Sequence, residues 1–315
     1  MFDNPNIFYL DQRNFQGSWE IPDQALEQVK KHQLTIIDLS SEHWGAGGID
    51  TAYETINSLG INFLLLSHEP TDHKKFERML YYPYWYFYSV KNFKLPKEVS
   101  INKTYSWSCL NFNPRVHRIH NYILSRSKPY FSQARFSMHD IPEELCASAR
   151  PDDVVLDQTV INEWKLLKTL LPHVTETDFG AGLDLTIPEL TDSYLHVVTE
   201  TVILPRVFIT EKTWKPIAMQ QLFLVFGDPG TIAALRKLGV DVFDDIVDHS
   251  YDNEPEWQQR LVKMHRSLEK LLSKDLQLIY QQTKYRREQN QIKFKNKEFG
   301  LQYQQDLTST IEKYL

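Results

Sequence analysis

Cysteine is nearly absent from this chain of 315 residues: Cys109 and Cys146 are the only two. Two are too few for a disulfide framework, and their spacing is unlike that of paired metal ligands, so both read as buried free thiols. No apolar run approaches the roughly eighteen residues that a membrane helix needs. The opening MFDNPNIFYLDQ has neither the basic start nor the apolar core of a signal peptide. No internal repeat is visible. These absences point to a soluble, intracellular protein of cytoplasmic location with no membrane partner.

What is present is ordinary globular composition, 42% hydrophobic and 24% charged, in a chain long enough for two domains, each with its own core. The net charge is -6, and all of it falls in residues 151–315. Between 91 and 135 the balance inverts: Lys91, Lys94, Lys97, Lys103, Arg115, Arg118, Arg126, Lys128 and Arg135 face Glu98 alone, interleaved with aromatic residues. Such a belt suggests a polyanionic ligand, either nucleotide phosphates or a nucleic-acid backbone; the alternative is a solvated face.

Periodicity sets the organisation. LTIIDLS (34–40) and INFLLLS (61–67) are short apolar runs around a helical pattern ended by Gly60, a strand-helix-strand unit. Residues 89–104 lack apolar periodicity and carry Pro96, which makes them the candidate linker. A second α/β unit follows, with YSWSCLN, SYLHVVTE, VFIT and LFLVFG as strands among helical stretches. The segment 254–315 has no strand-like run and reads as two or three helices. YYPYWYFYS (81–89) reads either as a strand buried on both faces or as a stacking platform for a sugar or an extruded base.

The stretch FITEKTWKPIAMQQLFLVFGDPG (208–230) carries most of the functional signal. Thr210 is a plausible N-cap, EKTWKPIAMQQ has helical spacing, and LFLVFG is a buried strand closed by Gly227. Glu211, Lys212 and Lys215 thus sit where a helix start meets a strand end. In open α/β sheets that edge binds ligands, and helix N-termini there favour anions.

SCLNFNPRVHRI, SYLHVVTET, VFITEKTWKPIAMQQLFLVFGDPGTIAALRKLG and DHSYD resemble the motif set of a glycosyltransferase-like family found largely in bacteriophages and large viruses. TEKTWK is also similar to the donor-site motif of the α-1,3-fucosyltransferases. The likeness spans roughly the C-terminal two-thirds of the chain and is carried by residues 105–120 and 193–252. It implies an α/β, GT-B-like fold, two Rossmann-like domains facing each other across a cleft, with C-terminal helices. The implied division is an acceptor-side domain at 1–100, a nucleotide-sugar-binding domain at 101–270 and helices at 271–315. The implied activity is a nucleotide-sugar-dependent glycosyltransferase with no obligatory metal cofactor, working in the cytoplasm of an infected host cell. One departure stands out: the family's arginine-bearing loop usually has a second basic residue where Phe112 or its neighbour stands here.

The residues fit that chemistry. A nucleotide-sugar offers a ribose diol and a diphosphate, so Glu211 suits the ribose hydroxyls while Lys212 and Lys215 suit the phosphates. The alternative is a surface Glu-Lys pair at i, i+4, worth about 0.3 kcal/mol. Arg115 and Arg118, three apart, suit bidentate contact with the diphosphate. Thr199 and Glu200 close a strand at its ligand-bearing end, and Thr210 caps the helix. His117 and His120 are either packed or acid-base groups. DHSYD is either a turn or a cation site built from Asp248 and Asp252. Catalytic candidates in the first domain are Glu42 and His43 in SSEHWGAGG, and Glu69 in SHEPTDH, beside His68 and Asp72. Inverting and retaining courses both stay open. The expected acceptor is a hydroxylated or hydroxymethylated pyrimidine in DNA, supported by the belt and by a second cluster, Lys284, Arg286, Arg287, Lys293, Lys295 and Lys297. A saccharide acceptor and a non-catalytic nucleic-acid-associated protein are the alternatives.

Overall fold

The structure, a computed structural model, describes residues 4–11, 21–41, 48–68, 76–111, 115–138, 162, 165–166, 183–186, 188–201, 203 and 207–315. The chain divides into two compact units, Met1–Trp85 together with Gly300–Leu315, and Tyr86–Phe299. Both are mixed α/β with a parallel sheet, compatible with a Rossmann-like fold. Among the described residues no helix is long and apolar enough to cross a membrane.

In the first unit β1 (Ile7–Asp11), β2 (Leu34–Asp38), β3 (Phe63–Ser67) and β4 (Met79–Tyr81) pair in that order, all parallel. α1 (Asp23–Val29) and α2 (Gly48–Ser58) connect them. β2 and β3 are apolar at nearly every position because a parallel sheet is covered on both faces. On one face Leu10, Ile37 and Leu65 pack against Val29, Ile49, Ala52 and Ile56. On the other Ile7, Leu34, Ile36, Leu64 and Leu66 pack against Leu307 and Ile311, from the last helix, Leu301–Tyr314. Gly60, at φ +63°, closes α2 in the left-handed conformation that glycine adopts without strain.

In the second unit β5 (Tyr105–Leu110), β6 (Ala134–Ser137), β7 (Ser193–Thr199) and β8 (Leu222–Phe226) are parallel and ordered β6-β5-β7-β8. α4 (Val116–Arg126) follows β5, the Glu211–Ala218 helix precedes β8, and the Thr231–Lys237 helix follows it. The helices Trp257–Leu272, Leu276–Gln282 and Lys284–Lys295 also belong to this unit. Its core is one cluster running from Tyr86 to Phe299.

The division differs from the expected one at both ends. YYPYWYFYS is not a strand: Tyr84–Asn92 is a helix (α3), with Pro83 directly before it, where a missing N–H costs nothing. Seven aromatics in eight positions carry no period, so sequence could not choose between strand and helix. The unit boundary falls inside this helix because the Tyr86 ring packs on Trp214 at 4.8 Å and on Phe294 at 5.8 Å. The expected linker is part of the second unit, since Lys94 exchanges backbone hydrogen bonds of 2.9 Å with Leu183 and Leu185. The final helices are likewise divided, because Leu307 and Ile311 are buried against the first sheet.

Candidate functional site

In the second sheet the chain runs from β5 out to β6, then returns to enter β7 on the other flank of β5. The strand order therefore reverses between β5 and β7, and the position outside their carboxyl ends is where open α/β sheets bind ligands. Asn111 and Arg115 follow β5 there; Glu200, Thr201 and Thr210 to Lys212 follow β7. Residues 112–114, 202 and 204–206 lie outside the described residues.

The carboxyl end of β7 is held by buried polar groups. The Thr199 hydroxyl donates to Asn111 Oδ1, which ties it to the residue that follows β5. His117 is 3% exposed, and its Nε2 hydrogen is donated to the Glu200 carbonyl at 2.8 Å. Burial, reinforced by the neighbouring Arg118 and Arg115 charges, holds this imidazole well below the usual histidine range, so the ring is neutral. Of the two sequence readings of His117, the packed one applies. Arg118 Nη2 donates to the Thr199 and Glu200 carbonyls, each at 3.2 Å, and burial, with Arg115 adding, lowers its pKa to about 10. The i, i+3 spacing does not present both arginines outward. α4 buries 117, 118, 121, 122 and 125, so Arg118 faces inward while Arg115, at the N-cap, stays half-buried.

Glu200 is fully buried and its carboxylate faces inward. Oε1 accepts from the Thr210 backbone N–H at 3.0 Å and from the Thr213 hydroxyl at 2.6 Å; Oε2 accepts from the Thr210 hydroxyl at 2.5 Å. Thr210 is the N-cap of the Glu211–Ala218 helix, with its side-chain oxygen accepting from Lys212 N–H. Glu200, expected to touch ligand, thus fixes the start of that helix against the end of β7. Gly227 lies beside it: a Cβ there would stand 2.9 Å from Thr231 Oγ1 and 3.4 Å from Glu200 Cγ.

The charges of the Glu211–Ala218 helix stand on this platform. Lys212 Nζ reaches Glu211 Oε1 at 2.7 Å and Thr201 Oγ1 at 3.0 Å. Burial pushes the Glu211 carboxyl up, but Lys212 and Lys215 outweigh it, and its pKa ends below the ordinary value. Lys215 is half-buried one turn along, and its pKa is lowered to about 8 by burial. Among the described residues its ammonium has no carboxylate within ion-pair distance. A half-buried cation with no carboxylate in ion-pair distance among the described residues, beside a helix N-terminus and an ionised carboxylate, is suited to an anion that also carries hydroxyls.

Of the expected donor residues, Arg115, Thr199, Glu200, Thr210, Glu211, Lys212 and Lys215 are brought to this one edge, and Arg118 lies beneath it. Glu42, His43, Glu69 and Asp72 lie outside the described residues, as does Cys146. Cys109 is a buried free thiol whose pKa burial raises to about 12. Asn111, Thr201 and Thr213 were not picked out from the sequence; only their places after a strand or within the first helical turn marked them. Arg260 carried no local signal, yet it is 1% exposed and donates to the Gly227 carbonyl at 3.0 Å from a distant helix.

DHSYD is a turn. Asp252 accepts from the Ile232 and Ala233 amides at 3.0 and 3.1 Å and caps the Thr231–Lys237 helix. Among the described residues no group of three His, Cys, Asp or Glu side chains could hold a metal. The basic belt does not form one face: Lys103, at the amino end of β5, donates to the Thr191 carbonyl at 2.6 Å, and Lys94 pairs with Asp184 at 2.9 Å. The second cluster is also partly committed. Arg286 pairs with Asp241 and Asp245 at 2.6 and 2.9 Å, Lys284 lies 3.8 Å from Glu288, and Arg287 is buried.

No family model, curated protein or solved structure matches the chain.

Proposed function

We propose that the protein is a nucleotide-sugar-dependent glycosyltransferase of the GT-B kind, its second unit holding the donor at the carboxyl edge of β5 and β7. The observation that carries this reading is the convergence of Glu211, Lys212, Lys215 and Arg115 at the point of strand reversal. Glu211 accepts hydrogen bonds from the ribose hydroxyls; Lys215, Lys212 and Arg115 meet the diphosphate. As the bond between the sugar and the diphosphate breaks, its electron pair moves onto the leaving phosphate oxygen, and these cations stabilise the growing charge. The acceptor hydroxyl forms the new bond and loses its proton to a base, for which Glu42, His43 and Glu69 remain the candidates. Because side chains of the chain meet the diphosphate charge, no metal is assigned to the reaction.

The support for DNA as acceptor is reduced. That reading rests on two basic runs, and Lys94, Lys103, Arg118, Arg286 and Arg287 in them are engaged within the protein. A saccharide hydroxyl is the acceptor preferred here. Titration of the full chain with UDP, GDP and their sugar conjugates tests the donor site. Saturable binding lost in Glu211→Ala supports transfer; indifference to every nucleotide overturns it and favours a non-catalytic nucleic-acid-associated protein.

A further inference from the structure

The Lys284–Lys295 helix has two unlike faces. On the inner one Arg287, Asn290, Gln291 and Phe294 are buried; Gln291 Nε2 donates to the Ala218 carbonyl at 2.6 Å and Asn290 Nδ2 to the Asp241 carbonyl at 2.8 Å. The outer face is left to solvent. Tyr285 and Ile292 stand two turns apart on one line of it, 70% and 44% exposed. At about 3.6 residues per turn, Lys284 and Lys295 flank that line on one side and Lys293 flanks it on the other. Lys297, also exposed, follows directly after the helix. A single exposed apolar side chain needs no explanation, but two on one line between lysines form an amphipathic stripe.

The charge of this face is positive and largely unspent. Lys284 lies 3.8 Å from Glu288, and Glu298 accepts from Asn296 at 3.2 Å. Among the described residues no carboxylate stands within ion-pair distance of Lys293, Lys295 or Lys297. The arginines of the same run are turned to other tasks, Arg286 on Asp241 and Asp245 and Arg287 on the Gln220 carbonyl. What faces outward is therefore lysine beside apolar surface, without the guanidinium forks that grip phosphates in pairs. An isoleucine at the centre of such a face gains nothing from a nucleic-acid backbone. It does leave water on entering a bilayer, where a tyrosine settles at the headgroup level and lysine stems reach out to the lipid phosphates. The chain carries -6 in all, so an anionic surface repels it as a whole and attracts this patch, which fixes the side that docks.

We propose that the outer face of the Lys284–Lys295 helix is a peripheral docking surface for an anionic lipid bilayer, with Tyr285 and Ile292 entering the headgroup region and Lys293, Lys295 and Lys297 meeting the lipid phosphates. The contact needs no spanning helix and is independent of the transfer reading. The test is sedimentation of the full chain with sucrose-loaded vesicles, of phosphatidylcholine alone and of phosphatidylcholine with phosphatidylglycerol in equal parts. Binding is expected to the mixed vesicles and not to phosphatidylcholine alone, and it should weaken as salt rises from about 0.05 M to about 0.5 M. Lys293→Gln, Lys295→Gln and Lys297→Gln together should weaken it by about fivefold per residue, and Tyr285→Ser with Ile292→Ser by about tenfold. Lys295→Gln and Ile292→Ser alone alter only exposed side chains, so they decide the matter should a combined variant fail to fold. No binding to mixed vesicles, equal binding to both kinds, or wild-type binding in either combined variant would overturn the proposal. So would a duplex oligonucleotide that displaces the chain from vesicles and binds the Tyr285→Ser, Ile292→Ser variant as well as it binds wild type, since the face would then be a nucleic-acid contact.

Discussion

The Glu200 carboxylate holds Thr210 twice, by its backbone N–H at 3.0 Å and by its hydroxyl at 2.5 Å. The end of β7 and the start of the Glu211–Ala218 helix are thereby one rigid piece, and Glu211, Lys212 and Lys215 are placed from it. Glu200→Ala leaves buried donors unsatisfied and should lower unfolding free energy by about 3 kcal/mol, with nucleotide binding lost in parallel. A loss below about 1 kcal/mol in urea titration would show that the bonds matter little.

Lys212→Ala and Lys215→Ala should each slow transfer by an amount equal to about 2–3 kcal/mol of transition-state stabilisation, with little change in fold. Single-turnover kinetics at saturating donor measure this. Unchanged turnover in both variants would remove these lysines from the reaction.

The pH dependence of Lys215 has a definite sign. Its folded-state pKa, about 8, lies below the ordinary 10.5, so rising pH deprotonates the folded chain first. The unfolded chain then binds more protons, and this group's contribution to stability rises between those two values. The ligand-binding charge is lost over the same window, so affinity for a nucleoside diphosphate should fall as pH passes 8. Calorimetric titration of wild type and Lys215→Met across this range should find the slope in the first and a flat profile in the second.

Gly227→Ala should destabilise the protein by about 1–3 kcal/mol, because the added methyl meets Thr231 Oγ1 at 2.9 Å. Thr231→Ala removes that atom, so the cost of the glycine change should be smaller in its background. Strict additivity in thermal unfolding of the four proteins would place the strain elsewhere.

Arg287 should behave as a structural residue rather than a nucleic-acid contact. It donates to the Gln220 carbonyl, where the chain turns through φ +57° into β8, and to the Tyr280 carbonyl, each at 2.5 Å. Arg287→Ala should cost about 3 kcal/mol of stability and leave the salt dependence of any DNA binding unchanged. A salt slope reduced by about one unit would restore the residue to a phosphate-binding face.

Much of this molecule is visible in short apolar runs. LTIIDLS, INFLLLS and LFLVFG are strands because continuous burial in a parallel sheet leaves a continuous apolar string, and Thr210 is a cap because its local chemistry is complete within three residues. The sequence by itself determined those elements and the placing of Glu211, Lys212 and Lys215 on the first turns of one helix. Tertiary structure alone decided the rest. A charge count cannot separate Arg115, at the rim, from Arg118, drawn inward on the buried face of α4, or the exposed Lys295 and Lys297 from Arg286, committed to Asp241. Nor can a run of aromatic residues without a period declare itself helix or strand. Whether a polar side chain meets ligand or holds backbone depends on partners 81, 33 or 67 residues away, as for Arg118, Arg260 and Arg287, and no local pattern encodes them.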